Sequence, residues 1–485
     1  MLEPNYVSRC FTGRFGTGVS SFFVFLKSLL FLNITTFILE FGLVTLPSVI
    51  IENNITSGAN TNSCYYDELH TQNKTSFMTL TQQAADFISG KGWINRTVMF
   101  YAGYPASMLI SDAGVTYNLP LAYLLVGCSY FVCSLFMVVR SLGTSLRESY
   151  VESGGTSTSC SNSIFAAWDF CITHENTAKA KIQTIGQNFR AQFAEEERRI
   201  KVESRTTPAK CGLYTLRTLS TLLVLALLGG AIYAIVFAVA ISTDPVKQCM
   251  TENVFVIQVY KRKASEAFEG GEKLLLFGPS LVITVLNLVF PFIFDFLSRF
   301  EDWSPGFEVN ITLFRTVLLR LASLGVLMIK IYSKVDEACE DNPQTCCQQN
   351  WENEIASQMY MLIWLDFFSH IFSSLMVTSI RKLLYKYTEC FKKVGLPVFD
   401  IPKQVLRLVY GECLIWIGTF FSPVMPAMGV VKLFIIFYVE LLAVLLNYRP
   451  SQKAYRATRS NHLFTVLLLI SFFLCLGTVG WGIAG

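Results

Sequence analysis

The sequence predicts an all-α, polytopic membrane protein with about nine transmembrane helices. Three observations predict it. Apolar residues make up 52% of the chain and mean hydropathy is +0.45. Charged residues make up 15%, against roughly 25% in globular proteins. Apolar runs near or above the ~20 residues needed to cross a hydrocarbon core recur along the whole length, and basic loops follow some of them but not others.

Residues 1–19 read as a cytoplasmic N-terminus, and 20–51 as a first span retained as a signal anchor, because its apolar run outlasts a signal-peptide core. A polar outer loop, 52–118, precedes the second span at 119–140. The inner loop, 141–212, opens with a Ser/Gly/Thr-rich linker over 153–163 and continues as a helical pattern over 176–202. The third span is 213–241 and a second outer loop is 242–273. Residues 274–485 then hold six further spans, at 274–297, 313–332, 359–384, 405–422, 425–446 and 463–483.

Charge sets the orientation. Lys179, Lys181, Arg190, Arg198, Arg199, Lys201 and Arg205 follow the second span, and Arg381, Lys382, Lys386, Lys392 and Lys393 follow the sixth. Basic loops stay on the cytoplasmic side. Three glycosylation sequons, at Asn54, Asn73 and Asn95, fall in the loop that this rule places outside, whereas those at Asn33 and Asn310 read as chance. Sequons serve the endoplasmic reticulum, Golgi and plasma membrane alike, so all three compartments stand open.

Several function classes are excluded. A net charge of +4, without a basic run interleaved with aromatics, gives no nucleic-acid surface. There is no HExxH, GxSxG, P-loop or GxGxxG, so the sequence predicts neither an enzyme nor a cofactor. Four histidines and no CxxC spacing argue against a metal site. Of 14 cysteines, Cys339, Cys346 and Cys347 fall in an outer loop, where a bridge from Cys339 to one of the other two can persist.

The later spans carry ionisable groups: Asp295, Arg315, Arg320, Asp366, His370, Glu412, Lys432 and Glu440. At the bilayer centre such groups cost about 2.5–3.5 kcal/mol on insertion scales, so they face a partner, a bundle interior or a water-filled path. Asp366, His370 and Ser373 lie at i, i+4 and i+7 and share a helix face. Two readings follow: a pore lining, or a clamp in which Asp366 meets a Lys or Arg of a neighbouring helix. Arg315 and Arg320 pair with carboxylates or meet lipid phosphates. Asp400 and Gln404 lie one turn apart where Asp400-Ile-Pro402 also signals a helix start. Pro279 and Pro291 bracket Asn287, and prolines inside a span free backbone groups. In the inner loop Ile182, Ile185, Phe189 and Phe193 form an apolar stripe, either a docking face for an EF-hand partner or a surface that lies against the membrane or under the bundle.

Specific strings then carry a resemblance. Glu301-Asp-Trp-Ser-Pro followed by Leu313-Phe-Arg-Thr-Val-Leu-Leu-Arg-Leu-Ala, Trp351-Glu-Asn, Phe399-Asp-Ile, Leu414-Ile-Trp-Ile-Gly-Thr-Phe-Phe-Ser-Pro and Lys453-Ala-Tyr-Arg-Ala-Thr-Arg-Ser-Asn are similar in order to the transmembrane channel-like (TMC) family. Asn350 and Asn353 depart from that family's Cys-Trp-Glu-Thr signature. The resemblance implies an anoctamin- and OSCA-like bundle, with the family's last span absent from this chain, and a homodimer with one lipid-facing groove per protomer along spans four to seven. It also implies a calcium- and integrin-binding EF-hand protein on the inner loop. It places pore-associated positions on Asn287, Leu288, Asp366, His370, Asp400 and Gln404. The function expected is the pore-forming subunit of a cation-permeable channel, with mechanical gating as in the family's hearing members. A phospholipid scramblase using the same groove, and a non-conducting regulatory or adaptor protein, are the rival expectations.

Overall fold

The computed structural model describes residues 17–49, 80–91, 93–94, 97–100, 109–112, 115–152, scattered helical positions within 165–202, then 204–242, 277–303, 305–341, 351–389, 397, 399–448 and 457–484. The described chain is a helical bundle. Eight helices are long and apolar enough to cross a membrane, and a ninth, at the C-terminal end, carries a shorter apolar stretch, Val466–Gly480.

Helix α1 spans Thr17–Glu40 and runs on through a π-helical turn, Phe41–Thr45. After the short α2, Leu80–Ser89, a hairpin pairs β1 (Leu109–Asp112) with β2 (Val115–Asn118) in antiparallel register, Leu109 opposite Asn118. The hairpin is the one sheet among the described residues and was not foreseen in a loop read only as polar. Helix α3, Leu119–Glu152, extends the second span well into the segment expected to be loop. Helix α4 covers Thr207–Ser242.

Helix α5, Gly278–Phe300, starts with Pro279, where the missing N–H costs nothing because the first turn has no acceptor for it. Pro291 lies inside the helix, so the carbonyl four residues earlier, that of Asn287, loses its helical donor. The turn into α6, Pro305–Asp341, is tied down by charge. The buried Glu301 carboxylate accepts from Arg315 at 2.7 Å and also from Ser220 and the Trp303 indole. Arg217 donates to the Glu301 and Asp302 carbonyls, each at 3.1 Å, and stacks 3.6 Å over Trp303. Arg315 thus follows the carboxylate alternative.

Helix α7, Trp351–Ile371, passes through a π-helical turn, Phe372–Val377, into α8, Thr378–Tyr387. Helices α9 (Ile401–Phe421) and α10 (Met425–Leu446) follow across a three-residue turn, then α11 (Ala457–Ala484). The core forms around α9, whose span is 89% buried against 17% for α5. Helix α9 packs on α7, α10 and α11, α10 packs on α1, α11 on α3, and α4, α5 and α6 contact one another along the side of α7. The apolar residues that α5 leaves exposed, including Val285, Phe292 and Phe296, suit a lipid-facing surface.

Candidate functional site

A small cavity of about 20 Å³ lies between α5, α6, α7 and α9, room for one water-sized occupant. Helix α5 contributes Thr284, Asn287 and Leu288, and α6 contributes Arg320. Helix α7 adds Asp366 and Ser369, and α9 adds Arg407 and Tyr410. Each comes from the polar stripe of a helix whose other faces are apolar, so burying those faces against neighbours directs the polar groups together.

On the far side of α7, charges pair with α10. Lys432 reaches the Asp366 carboxylate at 2.6 Å, with 5% and 14% of the two side chains exposed. Gly411 on α9 makes this reach feasible, since a Cβ there would lie 2.8 Å from Lys432 Nζ. His370 Nε2 lies 2.7 Å from Glu440 Oε1, and the Ser374 hydroxyl donates to the same oxygen. The π-helical turn begins between His370 and Ser374, a local departure common at functional sites.

The cavity side differs. Arg320 donates through Nη1 to the Leu406 carbonyl at 2.9 Å and lies 5.2 Å from the centre of the Tyr410 ring. Arg407 donates through Nη2 to Ser373 at 2.9 Å. Yet Arg320 Nε, Arg407 Nη1, the Tyr410 hydroxyl and both amide atoms of Asn287 are buried with no hydrogen-bonding protein group. Leaving buried donors unmet costs about 1–3 kcal/mol each, so this is the costlier flank of α7.

The six positions expected along the pore do not form one lining. Asn287, Leu288 and Asp366 border the cavity. His370 is buried at the α10 pair. Gln404 is buried on α9 outside the lining. Asp400 stands at the N-cap position of α9 without a side-chain capping bond, is 45% exposed, and shares Lys403 with Asp295 at 3.2 and 3.4 Å. Just past α10, burial holds the Tyr448 phenol well above its usual range, so its hydroxyl stays protonated.

Sequence reasoning missed Arg407, Tyr410 and Ser369. Their signal was the i, i+3 spacing of Arg407 and Tyr410 next to Gly411. It also missed what Asn33, rightly set aside as a glycosylation site inside the first span, does there: its buried amide donates to Glu412 at 2.7 Å between α1 and α9. Of the inner-loop stripe, Ile182 and Phe193 are exposed and Ile185 and Phe189 half-buried, all at helical positions. Asn54, Asn73, Asn95, Cys346, Cys347 and the Cys339 side chain lie outside the described residues. Among the described residues no cluster of three or more His, Cys, Asp or Glu could hold a metal.

The bundle and its cavity define a multi-pass helical membrane protein with a polar centre between its spans. A TMC domain model matches residues 350–458. The mouse protein named voltage-gated chloride channel TMC4 is 28% identical over 474 residues, 94% of this chain and 64% of that protein. Transmembrane channel-like protein 8 is 29% identical in Homo sapiens, over 97% of this chain and 62% of the relative. The Mus musculus protein of the same name is 30% identical, over 95% and 62%. These matches support the transmembrane channel-like family for this chain. It spans less than two thirds of the length of these relatives.

Proposed function

We propose that this chain forms the conducting path of an ion channel, running through the cavity between α5, α6, α7 and α9. One observation carries the reading: charged and polar groups from four spans converge there, with several of them left unpartnered. In a bilayer such an arrangement is expensive unless ions or water use it. The name of the mouse relative, a chloride channel, supports a channel of some kind.

The cation preference and mechanical gating expected from the sequence are part of this proposal in a narrower form. Asp366 is held by Lys432, so a cation would meet it only when that pair opens, while the half-exposed Asp400 would attract cations at the mouth. The homodimer and an EF-hand partner on the stripe around Ile182 and Phe193 complete the assembly. Phospholipid scrambling is a second reading, favoured by the apolar outer face of α5 and by the 68% exposed Arg299 near its end.

Purified protein in liposomes, assayed in parallel for ion flux and lipid exchange, tests these readings. Ion flux that falls at least several-fold in Asp366→Asn supports the path. Lipid exchange without ion flux would favour the scramblase. Neither activity in inserted protein would overturn both and turn attention to an adaptor role.

A further inference from the structure

We propose that the cavity is a binding site for a small monovalent anion of the halide class, held by Arg320, Arg407, Asn287 and Tyr410. The groups that face it without a partner are mostly donors: Arg320 Nε, Arg407 Nη1, the Tyr410 hydroxyl and the Asn287 amide, whose NH₂ and oxygen are both unmatched. Arg320 is 6% exposed and Tyr410 5% exposed, so neither reaches bulk water in place of a ligand. The Asp366 oxygen nearest a cation is already bonded to Lys432 at 2.6 Å, and Glu440 is taken by His370 and Ser374.

The charge balance agrees with the hydrogen bonding. In the lining itself the two guanidiniums of Arg320 and Arg407 stand against the single carboxylate of Asp366, which Lys432 shares. A water molecule could accept two of the free donors but would not offset that charge. A halide accepts several N–H and O–H bonds at once and neutralises one guanidinium. The cavity of about 20 Å³ has room for one small occupant. Pairing with an anion is also the arrangement that makes a buried guanidinium tolerable.

The site rests on the reading of this cavity as a conducting path but sets an anion there against the cation preference, and it is tested separately from conduction. Purified protein is heated in gluconate, with chloride replacing gluconate at fixed ionic strength. The expected result is a saturable rise in unfolding temperature, with the half-saturating chloride concentration increased at least tenfold in Arg407→Gln and in Asn287→Leu. Arg407→Lys, which keeps the charge but loses the fork, should fall between. Two variants on different helices guard against a folding defect in one. No saturable chloride effect in the parent protein, or equal half-saturation in parent and variants, would overturn the anion site and leave an ordered water there. Chloride stabilisation without any flux in liposomes would keep the site and remove the channel reading, whereas flux without chloride stabilisation would do the reverse.

Discussion

The two flanks of α7 show opposite ways of keeping charge inside a membrane. Towards α10, Asp366 meets Lys432 at 2.6 Å and His370 meets Glu440 at 2.7 Å. Towards α5, α6 and α9, Arg320, Arg407, Asn287 and Tyr410 keep donors that no protein group accepts. Paired charges hold helices in register, and their cost appears when one partner is removed. Unpaired donors contribute little to the fold, and their presence calls for something that enters and leaves. The first flank is a clamp and the second holds the proposed site, with Asp366 on the boundary between them.

The comparison breaks most visibly at the clamp. Lys432→Met leaves the buried Asp366 without its bonded partner, so it should cost about 3–5 kcal/mol, read as a loss of folded protein on denaturation in detergent. The double variant Asp366→Leu/Lys432→Met should recover most of that, and equal losses in single and double variants would show that the pair is not the stabilising unit. Gly411→Ala should come next, at about 1–3 kcal/mol, because its new Cβ would lie 2.8 Å from Lys432 Nζ. In a Lys432→Met background that cost should vanish, which a double-mutant cycle measures. Glu440→Gln should cost about 1–2 kcal/mol, since the amide keeps one acceptor for Ser374 or His370. The smallest loss of stability belongs to the other flank: Asn287→Leu should cost nothing and raise stability by up to about 1 kcal/mol, because both amide atoms already lack partners. Its effect should appear in flux instead, and a large loss of stability would place Asn287 in the scaffold.

Much of the bundle was legible from composition and loop charge alone, because apolar length and basic flanks follow directly from the bilayer. The stripe of Asp366, His370 and Ser373 was legible from helical spacing: the structure shows the clamp, Asp366 with Lys432, and Asp366 also borders a cavity. What spacing could not give was the identity of the neighbours. Arg407 drew no reading from the sequence, and its place matters because α9 is the most buried span. Asn33 matched a sequon whose biological meaning depends on lying outside the membrane, and only the packing of α1 on α9 reveals it as the partner of Glu412. The π-helical turns after Glu40 and Ile371 leave no mark in a hydrophobic pattern, since they are set by what packs around them.

The most direct test of the conducting path is chemical modification of the cavity wall during flux. Ser369 borders the cavity on α7, and Ser369→Cys is nearly isosteric. Under voltage in a planar bilayer, a charged thiol-reactive methanethiosulfonate should extinguish current through Ser369→Cys while the parent, with its native cysteines, continues to conduct. Conduction that persists at full amplitude after mass spectrometry has verified modification of the introduced thiol would contradict a path between α5, α6, α7 and α9.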